Sequence, residues 1–124
     1  MKKLFAACAA GWSILIISAG AVYYTAKNDV PIIEAPELVS VQGIEEQGVE
    51  IEWTSADYAT SYRVFRRENE ACEWELLEVV TAETFSYTDM APPESGCQYA
   101  MRTCNGSMGR LNLSGYSNIL TYSP

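Results

Sequence analysis

The chain has 124 residues, 48% of them hydrophobic, which leaves room for one domain of about 100 residues and an appendage. Charge is split: residues 1–27 hold Lys2, Lys3 and Lys27 and no acid, whereas residues 28–124 carry all 16 Asp and Glu against five Arg, a net of −11. Such a surface repels phosphate backbones and argues against nucleic acid as a partner, and the absence of histidine denies a Ser or Cys nucleophile its usual base.

The first element is a basic start at Lys2 and Lys3 followed by 23 uncharged residues, Leu4 to Ala26, around the dense run Ile14-Leu15-Ile16-Ile17. This pattern predicts an N-terminal hydrophobic helix that exports the rest of the chain. Two readings stand over residues 1–26. Ala19-Gly20-Ala21 supplies the small-residue pattern of a secretory signal cleaved after Ala21. The run is also long enough to span a bilayer as an uncleaved anchor, with Tyr23, Tyr24 and Lys27 at the interface. In both, the lysines stay inside and the domain is extracytoplasmic: secreted or periplasmic if cut, membrane-anchored behind a very short cytoplasmic N-terminus if not. Cys8 precedes the strongest apolar stretch, where a lipidated cysteine would come after it, and reads as a small apolar residue of the segment.

Residues 27–36, with Pro31 and mixed acids, read as a linker, and residues 37–124 as the folded domain. A first strand is expected over residues 38–41. In the next, residues 49–53, Val49, Ile51 and Trp53 alternate with Glu50 and Glu52, the period of a strand with one face buried. A third, residues 62–67, sets Tyr62 and Val64 on one face and Arg63, Phe65 and Arg67 on the other. Strands at 74–80 and 85–87 come next. Two more, 97–104 and about 117–122, flank Asn105-Gly106.

Seven short strands with turn signals between them predict an all-β antiparallel sandwich or a small barrel. The order and spacing of Pro36-x-Leu38, Val49-x-Ile51-x-Trp53-Thr54, Tyr62-Arg63-Val64-Phe65-Arg66, Trp74-x-Leu76-Leu77, Phe85-x-Tyr87-Thr88-Asp89, Gly96-x-x-Tyr99-x-Met101-Arg102 and Tyr116-Ser117-Asn118 resemble a fibronectin type III domain. The resemblance covers about residues 36–124 and implies an immunoglobulin-like sandwich. It makes Trp53 the central core aromatic, with Tyr62 and Tyr87 also in the core. It makes Tyr99 a corner tyrosine whose hydroxyl bonds to nearby backbone at the start of the sixth strand.

The same resemblance brings together the loop leaving the third strand and the start of the sixth. It therefore implies a Cys72–Cys97 disulfide, worth about 3.5 kcal/mol in the chain-entropy view. Cys104 lies seven residues on, about 20 Å at strand rise, and is expected to be a free, outward-facing thiol or to bond between molecules.

No cofactor or metal is expected, because the cysteines have no C-x-x-C spacing and there is no histidine. Glu50 with Glu52, Glu73 with Glu75, and the acids Glu68, Glu70 and Glu73 read as solvated faces, neither a glycosidase pair nor a calcium loop. Binding is expected at one end of the sandwich, where residues 54–60, with Asp57 and Tyr58, lie near residues 105–115, with Met108, Arg110 and Leu111. No Arg-Gly-Asp occurs. Asn105 and Asn112 begin glycosylation acceptor triplets, usable only in a host that glycosylates exported proteins. The expected function is a non-enzymatic binding or spacer module with a protein or polysaccharide partner at the cell surface. The alternative is a membrane-anchored structural subunit of an envelope assembly, joined through an edge strand or loops.

Overall fold

A computed structural model of the chain describes residues 32–106 and 111–124. The segment expected to direct export, the start of the expected linker, Met108 and Arg110 lie outside the described residues. Eight strands are present: β1 (Leu38–Ile44), β2 (Gly48–Trp53), β3 (Ser61–Arg67), β4 (Glu75–Thr81), β5 (Ser86–Asp89), β6 (Cys97–Asn105), β7 (Asn112–Leu113) and β8 (Leu120–Tyr122). They form two antiparallel sheets, β1-β2-β5 and β4-β3-β6 with β7 and β8 both on the far side of β6.

The alternation read in β2 sends Val49, Ile51 and Trp53 inward, at 0%, 0% and 4% exposure, while Glu52 lies in water and accepts a hydrogen bond from Ser40 Oγ at 3.0 Å. The facing sheet contributes Tyr62 and Val64 from β3 and Cys97, Tyr99 and Met101 from β6, all but sealed from solvent. Trp53 meets Tyr62 edge-to-face at 6.2 Å between ring centroids. Tyr87, Leu77, Val80, Leu120 and Tyr122 close the rim of this core. Two aromatic side chains meeting in the middle fill the gap between sheets with few rotatable bonds.

Gly48 opens β2 with φ of +108°, and a Cβ there would lie 2.0 Å from the Asp89 carbonyl oxygen, so only glycine lets β5 end against this turn. Turn closure comes from Gln47 N–H donating to Ile44 C=O at 3.0 Å, with Glu46 left-handed at φ of 64°.

Of the predicted last strand, about residues 117–122, only β8 forms, and a two-residue β7 pairs with β6 ahead of it, inside the predicted 105–115 loop. Between β7 and β8 the backbone leaves the ladder, and serine hydroxyls take the place of carbonyls: Thr103 N–H donates to Ser114 Oγ and Met101 N–H to Ser117 Oγ, both at 2.8 Å. Ser114 N–H and Ser117 N–H return bonds to the carbonyls of Thr103 and Met101 at 2.9 and 2.8 Å. The slack carries Tyr116 out over the outer face of the sheet. Asn118 then clamps β1 through both amide atoms, accepting from Leu38 N–H at 2.8 Å and donating to Leu38 C=O at 3.0 Å.

Candidate functional site

Three regions combine chemistry with exposure: the loop end predicted from sequence, the opposite end around Asp89 and Cys97, and the outer face of the second sheet.

At the loop end, residues 54–60 are fastened to the end of β6. Thr60 N–H donates to Cys104 C=O at 2.8 Å, Thr60 Oγ1 donates to the same oxygen at 3.1 Å, and Gly106 N–H donates to Thr60 Oγ1 at 2.9 Å. Asn105 Nδ2 donates to the carbonyl of Tyr58. Tyr58 has a left-handed backbone, φ of 65°, and its ring is 59% exposed. Asp57 and Leu111 are also exposed, and Asn112 is half-buried in β7. The structure thus joins the Asp57–Tyr58 loop to the base of the 105–115 loop, with Met108 and Arg110 outside the described residues.

At the other end, Tyr99 bonds to a partner the sequence did not reveal. Its hydroxyl donates to the Asp89 carboxylate at 2.6 Å, in place of the expected backbone group. Asp89 also accepts from Arg66 Nη1 at 2.8 and 3.0 Å and from Ala91 N–H at 3.2 Å. The carboxylate side chain is 5% exposed and the guanidinium side chain 16%. Four bonds satisfy a buried charge that would otherwise be costly to desolvate. Burial first, and the bond to Asp89 second, hold the Tyr99 hydroxyl far above the ordinary tyrosine range. Burial opposes the charge on Arg66, but the bonds and attraction of Asp89 and Glu75 outweigh it and raise its pKa.

The expected Cys72–Cys97 bridge is absent: Cys72, Cys97 and Cys104 are free thiols. The reason is direction. Cys97 shares the inward face of β6 with Tyr99 and Met101, is 2% exposed, and sets its sulfur beside the Tyr99 hydroxyl. Cys72 belongs to a surface turn, where its sulfur lies 3.7 Å from Asn69 Oδ1 and its N–H donates to Asn69 C=O. Burial raises the Cys97 thiol above its ordinary value. Cys104 does stand on the outer face of β6 by register, between Ser61 and Leu113 of the flanking strands, but it is covered, at 3% exposure. Among the described residues no three His, Cys, Asp or Glu side chains are grouped to hold a metal ion. A groove of about 440 Å³ lies beside Cys97, between residues 68–71 and residues 121–123.

The outer face of the second sheet carries an array that only part of the sequence announced. Arg63, Phe65 and Arg67 of β3 stand opposite Arg102, Ala100 and Gln98 of β6. Tyr116 covers Phe65 at 5.2 Å between centroids and stacks on Trp74 at 5.6 Å with 27° between planes. The Arg67 guanidinium lies 4.1 Å over Trp74, and that of Arg102 lies 4.9 Å over Tyr116. Arg67 Nε donates to Gln98 Oε1 at 2.8 Å and Arg102 Nε to the Ser114 carbonyl at 2.7 Å. Each arginine is held by one acceptor and one ring. The sequence puts Trp74 at the start of a strand and Tyr116 just before the last one, and neither position announces the contact with the arginines.

Sheets ordered β1-β2-β5 and β4-β3-β6-β8, a tyrosine anchoring the corner between β5 and β6, and a central Trp53 define one architecture. The fold is that of a fibronectin type III domain. No protein-family model and no curated protein sequence matches the chain. Among solved structures, a β-1,2-glucanase from Parabacteroides distasonis is similar at 21% identity and a TM-score of 0.61, over 73% of this chain and 12% of the glucanase. The chain therefore spans a small part of that enzyme. A structure described as a myokine is similar at 14% identity and a TM-score of 0.51, over 73% of this chain and 95% of the other. A fibronectin type III domain of human collagen XX matches at 16% identity and a TM-score of 0.46, over 75% and 98%. At these identities the likeness concerns the fold alone.

Proposed function

We propose that the chain is an exported, non-enzymatic fibronectin type III-fold module that binds a partner, or spaces one, outside the cytoplasm. Residues 1–26 deliver it, residues 27–36 link it, and residues 37–124 do the binding. The observation that carries this reading is the pinning of two loops into one rigid end. Thr60 and Asn105 tie the Asp57–Tyr58 loop to the end of β6, so an exposed aromatic ring stands on an ordered base. Rigid presentation of loop side chains lowers the entropy lost on binding. A non-enzymatic role is in keeping with a chain that has no histidine and whose ionised network, Arg66–Asp89–Tyr99, is spent on structure. Fractionation with N-terminal sequencing tests the reading. A mature chain beginning at Val22 in the extracytoplasmic fraction is the expected result for the secreted form, and recovery in the cytosol would overturn it.

One observation favours the membrane-anchored subunit as a second reading. β4 is an edge strand paired only with β3, and its Leu76 and Val79 are 45% and 48% exposed, a form open to strand addition by a neighbour in an envelope assembly. Retention of Lys2 and Lys3 in a membrane fraction, with the chain recovered in a larger complex, is the outcome specific to that reading.

A further inference from the structure

A domain with 14 acids and five arginines has carboxylates to spare, yet the ion pairs among its described residues belong to Arg66 alone. Three of the other arginines, Arg63, Arg67 and Arg102, share the outer face of the β4-β3-β6 sheet. Arg63 and Arg102 are direct cross-strand partners, a like-charge arrangement that weakens a sheet when nothing compensates it. Arg63 Nε is shielded from solvent and has no acceptor. Because Nε of Arg67 and of Arg102 is already engaged, and a ring supports each plane, their terminal nitrogens form fixed forks of the kind that grip carboxylates in pairs.

The surroundings are apolar. Val79 pairs with Arg63 and Leu76 with Phe65 across β3 and β4, so one exposed aliphatic side chain stands in the Arg63–Arg102 row and the other in the adjacent Phe65–Ala100 row. Rows of this composition fit an extended chain one face of which, its every second residue, carries both carboxylates and apolar side chains. A sulfated polysaccharide would satisfy the arginines and leave Leu76 and Val79 uncovered.

We propose that this face is the docking surface for an extended acidic peptide segment of a partner protein whose sheet-facing side chains mix carboxylates with apolar groups, with its carboxylates on Arg63, Arg102 and Arg67 and its apolar side chains on Leu76 and Val79. The proposal deepens the binding-module reading by naming surface and partner chemistry. It is independent of which compartment the chain reaches.

The test uses the full-length chain in uncharged detergent micelles, titrated with a fluorescent ten-residue peptide, Glu-Ser-Leu-Ser-Glu-Ser-Leu-Ser-Glu-Ser, in which Glu and Leu share one face of the extended chain, and with its counterpart carrying Gln for Glu. The Glu peptide should bind at least tenfold more tightly than the Gln peptide. Binding should weaken roughly tenfold for Arg63→Gln and for Arg102→Gln, and should fall as salt rises from about 50 to 500 mM. Arg63→Lys should retain part of the affinity, and each variant should remain fully folded at the assay temperature by circular dichroism, which separates lost docking from lost fold. The proposal is overturned if the Glu peptide fails to bind at about 1 mM, if the arginine variants bind it like the parent, or if a sulfated oligosaccharide binds this face while the peptide does not. Cytosolic recovery of the chain would overturn the exported reading and leave this titration unchanged.

Discussion

Removing one oxygen from Tyr99 isolates the network at the corner between β5 and β6. Tyr99→Phe keeps the ring, which is fully buried, and deletes the hydroxyl that donates to Asp89 at 2.6 Å. A hydrogen bond to a charged group contributes about 1.5–3 kcal/mol. Asp89 would keep Arg66 Nη1 and Ala91 N–H as donors, so the variant does not orphan the carboxylate, and the loss should stay within that range. Asp89→Ala differs in kind. It leaves the Arg66 guanidinium, mostly covered, with Glu75 as its one remaining carboxylate partner at 3.2 Å, and breaking a buried pair in this way costs about 3–5 kcal/mol. Urea unfolding monitored by circular dichroism measures both, and the double variant gives the coupling energy. Because the two residues share one bond, the double variant should cost at least 1 kcal/mol less than the sum of the singles. A Tyr99→Phe protein within about 0.5 kcal/mol of the parent, at unchanged m value, would refute the network as a source of stability.

The core and its thiols carry further consequences. Trp53→Ala removes the largest side chain between the sheets and should cost about 3–5 kcal/mol in the same assay; a variant that melts like the parent would remove Trp53 from the core. Alkylation of the unfolded chain should label Cys72, Cys97 and Cys104, and brief labelling of the folded chain should reach Cys72 well before the two buried thiols. Loss of two labels from the unfolded chain under non-reducing conditions would restore a bridge. Stability should be level near neutral pH and fall as pH rises above about 9. The folded state holds the protons of Cys97, Tyr99 and Tyr87 beyond the ordinary values of 9.0 and 10.0, so the unfolded chain releases them first. Arg66, raised above its ordinary value, stays charged in both states across this window. The Tyr99→Phe variant should lose less stability than the parent between about pH 9 and pH 11, and a larger loss would contradict the assignment.

Strand parity carried most of the fold. Val49, Ile51 and Trp53 announced the buried face of β2, and Arg63, Phe65 and Arg67 were assigned to one face of β3, which the structure has as the outer face. The same parity places Cys97 with Tyr99 and Met101, pointing inward and away from a bridge to a surface turn; the expected disulfide came from the proximity of chain segments, which says nothing of where a sulfur points. Three features depend on side chains that alternation does not report. Ser114 and Ser117 replace carbonyls in the ladder between β7 and β8. Asp89, at the end of β5, reads as a turn residue until Arg66 and Tyr99 are seen to meet it. Tyr116 reaches Trp74 and Phe65 from an irregular segment, so the aromatic cover of the arginine face has no period to betray it.

The central claim, an exported fibronectin type III-fold module, is tested most directly by a reporter fused after Pro124 that becomes active only where disulfides form. Activity in cells producing the full chain, lost when residues 4–26 are deleted, is the predicted result. An inactive reporter on an intact, folded chain, with equal activity from a fusion that reports only in the cytoplasm, would contradict it.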